Sequence, residues 1–191
     1  MEKVNGKAKN VRIAYIGGGS RGWARYLMSD LLLEERMSGT VTLYDIDIEA
    51  AKDNALIGNK MNGLPDAKSE WEFVTADSLQ EALTGSDFVV ISILPATFDE
   101  MEVDVHWPEK YGMYQSVGDS VGPGGVIRAL RTIPMFKAIA EAIRDYCPNA
   151  WVINYTNPMT MCMSALYKYF PKIKAFGCCH EVFRTQNLIC D

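Results

Sequence analysis

The chain has 191 residues, 48% of them hydrophobic and 23% charged, which fits one soluble globular domain with at most a small appendage. A net charge of −5 lacks the basic stripe that nucleic acid requires, so no nucleic-acid partner is expected. Five cysteines without a CxxC pair make no disulfide framework, and a reducing, cytoplasmic setting is expected.

Residues 1–10 are polar and read as a disordered leader. The apolar run that follows is too short for a signal peptide or a membrane span, so no membrane contact is expected. A first strand over 11–16 enters Gly17-Gly18-Gly19-Ser20-Arg21-Gly22, a G-x-G-x-x-G turn. In that spacing the first glycine allows a sharp turn and the second lets a pyrophosphate approach the backbone. The third lets the next helix pack close to the sheet, with its free N–H groups facing the anion. Leu27, Met28, Leu31 and Leu32 recur at helical spacing and predict a helix over 20–36. A strand over 40–44 then ends at Asp45, 23 residues after Gly22. A carboxylate at that place binds the ribose hydroxyls of an adenosine and repels a 2′-phosphate, which favours NAD over NADP. Glycine-rich turns are common, and a bare strand–turn–helix is the alternative. The strand before, the helix after and the acid beyond favour a dinucleotide site made of Gly17, Gly18, Gly19, Ser20, Gly22 and Asp45.

Asp47 caps a second predicted helix that ends near Gly63. A strand follows over 71–75, then a short helix over 79–83 capped by Ser78, then a continuous apolar strand over 88–94. Residues 95–125 are poor in apolar residues and rich in glycine, and are predicted to form a functional loop or lid. A long helix is marked by Ile133, Phe136, Ile139, Ala140 and Ile143, with Pro134 in its first turn or kinking it. A strand over 151–154 leads to Asn157-Pro158, with Asn157 as N-cap and Pro158 at the first helical position. The last strand, over 173–176, runs into Gly177-Cys178-Cys179-His180-Glu181. This alternation predicts the α/β class, a doubly wound parallel sheet with right-handed crossovers. Ligands bind such sheets beyond the carboxyl ends of the strands, where every chemically rich stretch of this chain falls.

Several side chains at those ends carry more than one reading. Cys179 offers a thiolate for a transition metal, and His180 or Glu181 a proton shuttle; equally, Cys179 is a small buried residue and His180 a surface imidazole. Cys178 reads as core. Asn157 has a capping role and a substrate-amide role available. Asp119 either hydrogen-bonds a sugar hydroxyl or closes a turn. Arg128 and Arg131 read as a solvated helix face, yet Arg128 follows Gly124-Gly125 near a helix start that suits an anion.

Together, Ile16-Gly17-Gly18-Gly19-Ser20, Lys110-Tyr111-Gly112, the run from Gly122 to Arg131, Asn154-Tyr155-Thr156-Asn157-Pro158-Met159 and Cys179-His180-Glu181-Val182 resemble glycoside hydrolase family 4. The resemblance covers residues 11–191. It implies a Rossmann-like NAD-binding domain of the lactate/malate dehydrogenase type, and dependence on NAD and a divalent metal, usually manganese. Cys-His-Glu-Val resembles the subgroup acting on α-galacturonides; other members are α-glucosidases and α-galactosidases. In this family NAD oxidises C3 of the sugar and a metal stabilises the enolate formed at C2. The aglycone leaves, water adds and the hydride returns, an exception to the two-carboxylate scheme. By position, Cys179 would ligate the metal, and Asn157 and Asp119 would touch the sugar. From the residues themselves, His180 is a candidate proton shuttle and Arg128, at its helix start, the candidate partner of the sugar's carboxylate. The partner is then a small, acidic saccharide, and the whole enzyme a homo-oligomer. The family's second metal ligand, catalytic base and C-terminal catalytic domain would lie beyond this chain. Two other readings are an NAD-dependent 2-hydroxy-acid dehydrogenase and a non-catalytic NAD-binding module.

Overall fold

The computed structural model describes residues 1–179 and 181–190. Residues 1–10 are not a disordered leader. Strand β1 (Glu2–Val4) pairs antiparallel with the start of β2 (Lys7–Ile16), joined by Asn5 and Gly6 at φ 50° and 79°. Two central residues with positive φ make the tight turn that matches strand twist, and Asn-Gly is the sequence best suited to it.

The other strands are β3 (Met37–Tyr44), β4 (Trp71–Thr75), β5 (Phe88–Ile91), β6 (Trp151–Asn154) and β7 (Lys174–Gly177), all parallel to β2 in the order β4-β3-β2-β5-β6-β7. Helices α1 (Trp23–Leu33) and α2 (Ile48–Met61) cover one face of β2–β4 through Ile13, Tyr15, Val41, Leu43, Trp71 and Phe73. On the opposite face α3 (Leu79–Leu83), α5 (Gly122–Tyr146) and α6 (Met159–Tyr169) cover Ala14, Val89, Ile91, Val152 and Ala175. Right-handed crossovers dictate this split, because the order of connection reverses between β2 and β5. No helix among the described residues is long and apolar enough to cross a membrane.

Three predicted boundaries move for local reasons. The first helix begins at Trp23, after the glycine turn, and ends before β3, which starts early because Met37 pairs with Ala8. Strand β5 stops at Ile91: Ser92 still donates to the Ile16 carbonyl, but Ile93 donates to the Thr156 hydroxyl instead of a strand. The predicted lid at 95–125 contains α4 (Phe98–His106), a 3₁₀ turn (Trp107–Tyr111) and the first turn of α5. Helix α4 opens with a capping box, Thr97 bonding the Asp99 N–H and Glu100 reaching back to the Thr97 N–H. Helix α5 starts twelve residues before Pro134, which therefore lies in its interior. Pro134 is exposed, so the carbonyl it leaves unpaired meets water at little cost. Helix α7 (Glu181–Cys190) ends the described chain, and every one of its residues is exposed.

Candidate functional site

The glycine turn is fixed from three sides. Gly17 has φ 99°, and a Cβ there would sit 1.9 Å from the Ser92 carbonyl oxygen. At Gly18 a Cβ would meet Leu43 at 2.7 Å. At Gly19 it would meet Ala50 at 2.9 Å and the Asp45 carboxylate at 3.0 Å. Gly22, whose expected role was close helix–sheet packing, has open space where its Cβ would be and stands as the N-cap of α1. The demand for glycine thus falls on three consecutive residues, and on β3, β5 and α2 rather than on the seating of α1.

The N–H groups of Gly17 and Gly18 both donate to the Tyr44 carbonyl at 2.9 Å, and that of Gly19 donates to Asp45 Oδ2 at 2.8 Å. An anion at this turn is therefore left to the amides that open α1, whose positive dipole end faces it. Ser20 points its hydroxyl at the Trp23 N–H (3.1 Å). Asp45 also accepts from the Asp47 N–H at 3.0 Å, while Asp47 caps α2 as expected by accepting from Ala50.

Sequence reasoning missed Asn54. It is 1% exposed on α2, and its Nδ2 donates to the carbonyls of Gly18 (2.7 Å) and Ser20 (2.9 Å). Its Oδ1 accepts from Arg25 Nε at 2.9 Å. A polar residue on the same helical face as Ala51, Ala55 and Gly58 was the signal that pointed to it.

At the other end of the cleft the structure brings Asp119, Arg128 and Asn157 together. Arg128 lies in the second turn of α5, nine-tenths buried rather than on a solvated face, and its Nη1 donates to Asp119 Oδ1. Asp119 Oδ2 accepts from Asn157 Nδ2 at 3.4 Å. Asn157 is not the N-cap of α6; Pro158 takes that place after a cis Asn157–Pro158 bond. The Asn157 side chain is thereby free to face the cleft. Arg131 pairs with Asp104 of α4. Gly124 and Gly125, at the helix start read as suited to an anion, are buried under their own loop. A Cβ at Gly125 would meet the Gly118 carbonyl at 2.9 Å, and one at Gly124 the Asp104 carbonyl at 2.6 Å.

The cysteines separate by environment. Burial pushes the thiols of Cys147 and Cys162 up to about 12, which marks them as core. Cys178, expected in the core, is half-buried at the cleft and hydrogen-bonds Tyr155, whose hydroxyl is raised first by burial and then by Cys178. Cys179 is half-buried in the cleft wall. His180 lies outside the described residues. Among the described residues no group of three His, Cys, Asp or Glu side chains is placed to hold a metal ion. Cys179 is thus one candidate ligand, and a complete shell needs donors outside the described residues.

One cleft of about 1140 Å³ joins these parts, with Gly17, Gly19 and Asp45 at one end and Asp119, Arg128, Asn157 and Cys179 at the other. It lies over the carboxyl ends of β2, β5 and β6, at the reversal of strand order, where a dinucleotide fits by shape, by its anion-facing helix and by its acidic ribose partner.

Comparison with known proteins agrees with this geometry. The sequence profile of the family described as Family 4 glycosyl hydrolase matches residues 12–191. An alpha-galacturonidase of Thermoanaerobacterium saccharolyticum is 65% identical over 189 residues, covering 99% of this chain and 41% of that protein. The chain therefore spans about two fifths of the length of the curated relatives it matches. The structure of a 6-phospho-beta glucosidase from Thermotoga maritima with manganese, NAD+ and glucose-6-phosphate superposes with a TM-score of 0.79. Its identity is 27%, over 94% of this chain and 42% of that one. A lactate dehydrogenase from Eimeria maxima shares the fold alone, at a TM-score of 0.58 and 20% identity, over 92% of this chain and 44% of that one. The chain belongs to the family 4 glycosyl hydrolases.

Proposed function

We propose that this chain is the dinucleotide-binding part of a family 4 glycosidase that cleaves α-galacturonides with NAD as its resident cofactor. The observation that carries this is the continuous cleft from Gly19 and Asp45 to Asp119, Asn157 and Cys179. A dinucleotide and a polyhydroxylated ring fit end to end in it. The identity of 65% to an alpha-galacturonidase supports the substrate class.

When bound, NAD accepts a hydride from a sugar carbon and returns it, so the net reaction is hydrolysis. Asp45 would hold the adenosine ribose, and the opening amides of α1 would hold the pyrophosphate. Asn157, just past the strand end of β6, lines the same cleft. There the Asn157 amide and the Asp119 carboxylate orient sugar hydroxyls, which fixes the carbon that gives up hydride. Cys179 stands in the same wall as a candidate metal ligand, with His180 beside it in sequence as a candidate proton carrier. The described residues do not complete a metal shell, and no step is assigned to one.

The test is an assay of the whole enzyme with NAD and manganese on an α-galacturonide, following both sugar release and absorbance of NADH. Release of galacturonate without accumulation of NADH is expected. Accumulation of NADH with a 2-hydroxy acid, without glycoside cleavage, would assign the cleft to a dehydrogenase.

A further inference from the structure

We propose that Arg128 is a positioning residue, whose guanidinium holds the Asp119 carboxylate against the Asn157 amide and so fixes the hydroxyl-binding pair of the cleft. The proposal deepens the glycosidase reading and rests on it for the role of that pair.

Asp119 sits in residues 112–121, which carry no helix or strand. Such a segment needs side-chain anchors to hold a carboxylate at a fixed place. The structure supplies two, and a close backbone contact besides. Gln115 Nε2 donates to the Asp104 carbonyl at 3.2 Å, and Arg131 pairs with the Asp104 carboxylate, which together tie the segment and α4 to α5. The absence of a side chain at Gly125 lets the backbone of Gly118–Ser120 lie directly on α5. Arg128, one turn further along α5, then grips Asp119 itself. Only this last anchor acts on the functional group, and Asp119 in turn accepts from Asn157.

This geometry changes what Arg128 does. Read from sequence, its guanidinium was the partner of a substrate carboxylate. In the structure it is nine-tenths buried and already paired. A uronate seated on the same guanidinium would bring a second anion within about 4–6 Å of Asp119, a spacing at which like charges disfavour each other strongly. A buried cation with a partner in place is a holder of that partner, and removing it frees a carboxylate rather than a substrate site. Recognition of the acid group then falls to a different cation.

The experiment compares wild type with Arg128→Met and Arg128→Lys in the whole enzyme, by hydrogen exchange and by steady-state kinetics. For Arg128→Met we expect amides of residues 113–121 to exchange about tenfold faster, the equivalent of losing one buried anchor. Amides of β2, β5 and β6 and the affinity for NAD should be unchanged. On a galacturonide, kcat should fall about tenfold or more with little change in KM, as for a misplaced group at the reacting centre. Arg128→Lys should recover part of both effects. A selective rise in KM for the charged sugar, with exchange of 113–121 unaltered, would overturn the proposal and return Arg128 to carboxylate reading. Unaltered exchange with unaltered kinetics would overturn it too. If wild type cleaves no galacturonide, the glycosidase reading fails on its own, while faster exchange in Arg128→Met would still establish the anchoring.

Discussion

Asp45 accepts the N–H of Gly19 at 2.8 Å, so the carboxylate placed to hold a ribose is also the clasp of the glycine turn. The two roles separate by substitution. Asp45→Asn keeps an acceptor for Gly19 and loses the charge that repels a 2′-phosphate. It should leave thermal stability nearly unchanged while narrowing the preference for NAD over NADP by about tenfold or more. Asp45→Ala should in addition cost about 1–3 kcal/mol of stability, because the part-buried Gly19 N–H loses its acceptor. Calorimetric titration with both nucleotides and urea unfolding check the two halves. Wild-type protein binding NADP as tightly as NAD would remove Asp45 from the ribose.

The glycines make a sharper test, because the sequence pattern and the structure rank them differently. Gly19→Ala forces a methyl group within 3.0 Å of both Ala50 and Asp45 and should weaken both folding and NAD binding, by about 1–3 kcal/mol in stability. Gly22→Ala places its methyl in open space at φ −103° and should change stability by less than about 0.5 kcal/mol. Parallel urea curves for the two variants decide it, and equal losses would mean that α1 packs more tightly than described.

Alkali should destabilise the fold early. Cys147 and Cys162 are raised from 9.0 to about 12, and Tyr15 from 10.0 to about 12, in each case first by burial. All three stay protonated in the folded state at pH values where the unfolded chain releases the proton. The folded state then binds more protons, and stability falls as pH rises through roughly 9–12. Urea midpoints measured from pH 8 to pH 10.5 should decline from about pH 9. In Cys147→Ala/Cys162→Ala the decline should begin nearer pH 10; an unchanged onset would show that other groups dominate.

Cys179 is the one residue of the metal expectation that the cleft displays. In the whole enzyme, Cys179→Ser should lower manganese affinity about tenfold or more, since a hydroxyl is a poorer ligand than a thiolate. Metal content after dialysis against graded manganese reads this without recourse to activity. Retained affinity would make Cys179 a packing residue of the cleft wall.

Where the sequence was legible, local pattern and tertiary context agreed. The strand at Trp71–Thr75, the Ser78-capped helix at Leu79–Leu83 and the strand at Trp151–Asn154 appear with the boundaries their residues predict. Two misses left readable marks. Asn5-Gly6 is a hairpin turn inside a segment read as disordered for its polarity, and Thr97-x-x-Glu100 is a capping box inside a segment read as a functional loop. The start of α5 was readable in part, since Pro123 stands in its first turn. Its glycines are poor helix formers by propensity, and what fixes Gly124 and Gly125 is tertiary: Asp104 and residues 118–120 lie where side chains would be. The site divides the same way. The glycine turn and Asp45 are local and were visible. The Arg128–Asp119–Asn157 chain joins residues 38 apart and was visible only as separate residues.

The reversal of strand order between β2 and β5 also governs how the molecule comes together in time. The β2–α1–β3–α2–β4 half is built from neighbours in sequence. The seam beside it pairs Ile13 with Phe88, and it is bracketed by Arg12 and Asp87, 75 residues apart, which exchange hydrogen bonds of 3.0 and 2.8 Å. Closing so long a loop carries an entropic cost that the local pairings of the first half do not, so contact-order reasoning expects this pairing to follow them. The cleft straddles that seam, with Gly17 on one bank and Ser92 on the other. The surface that would receive the dinucleotide therefore depends on that long-range join, and a nucleotide bound across it would stabilise the pairing of the two halves.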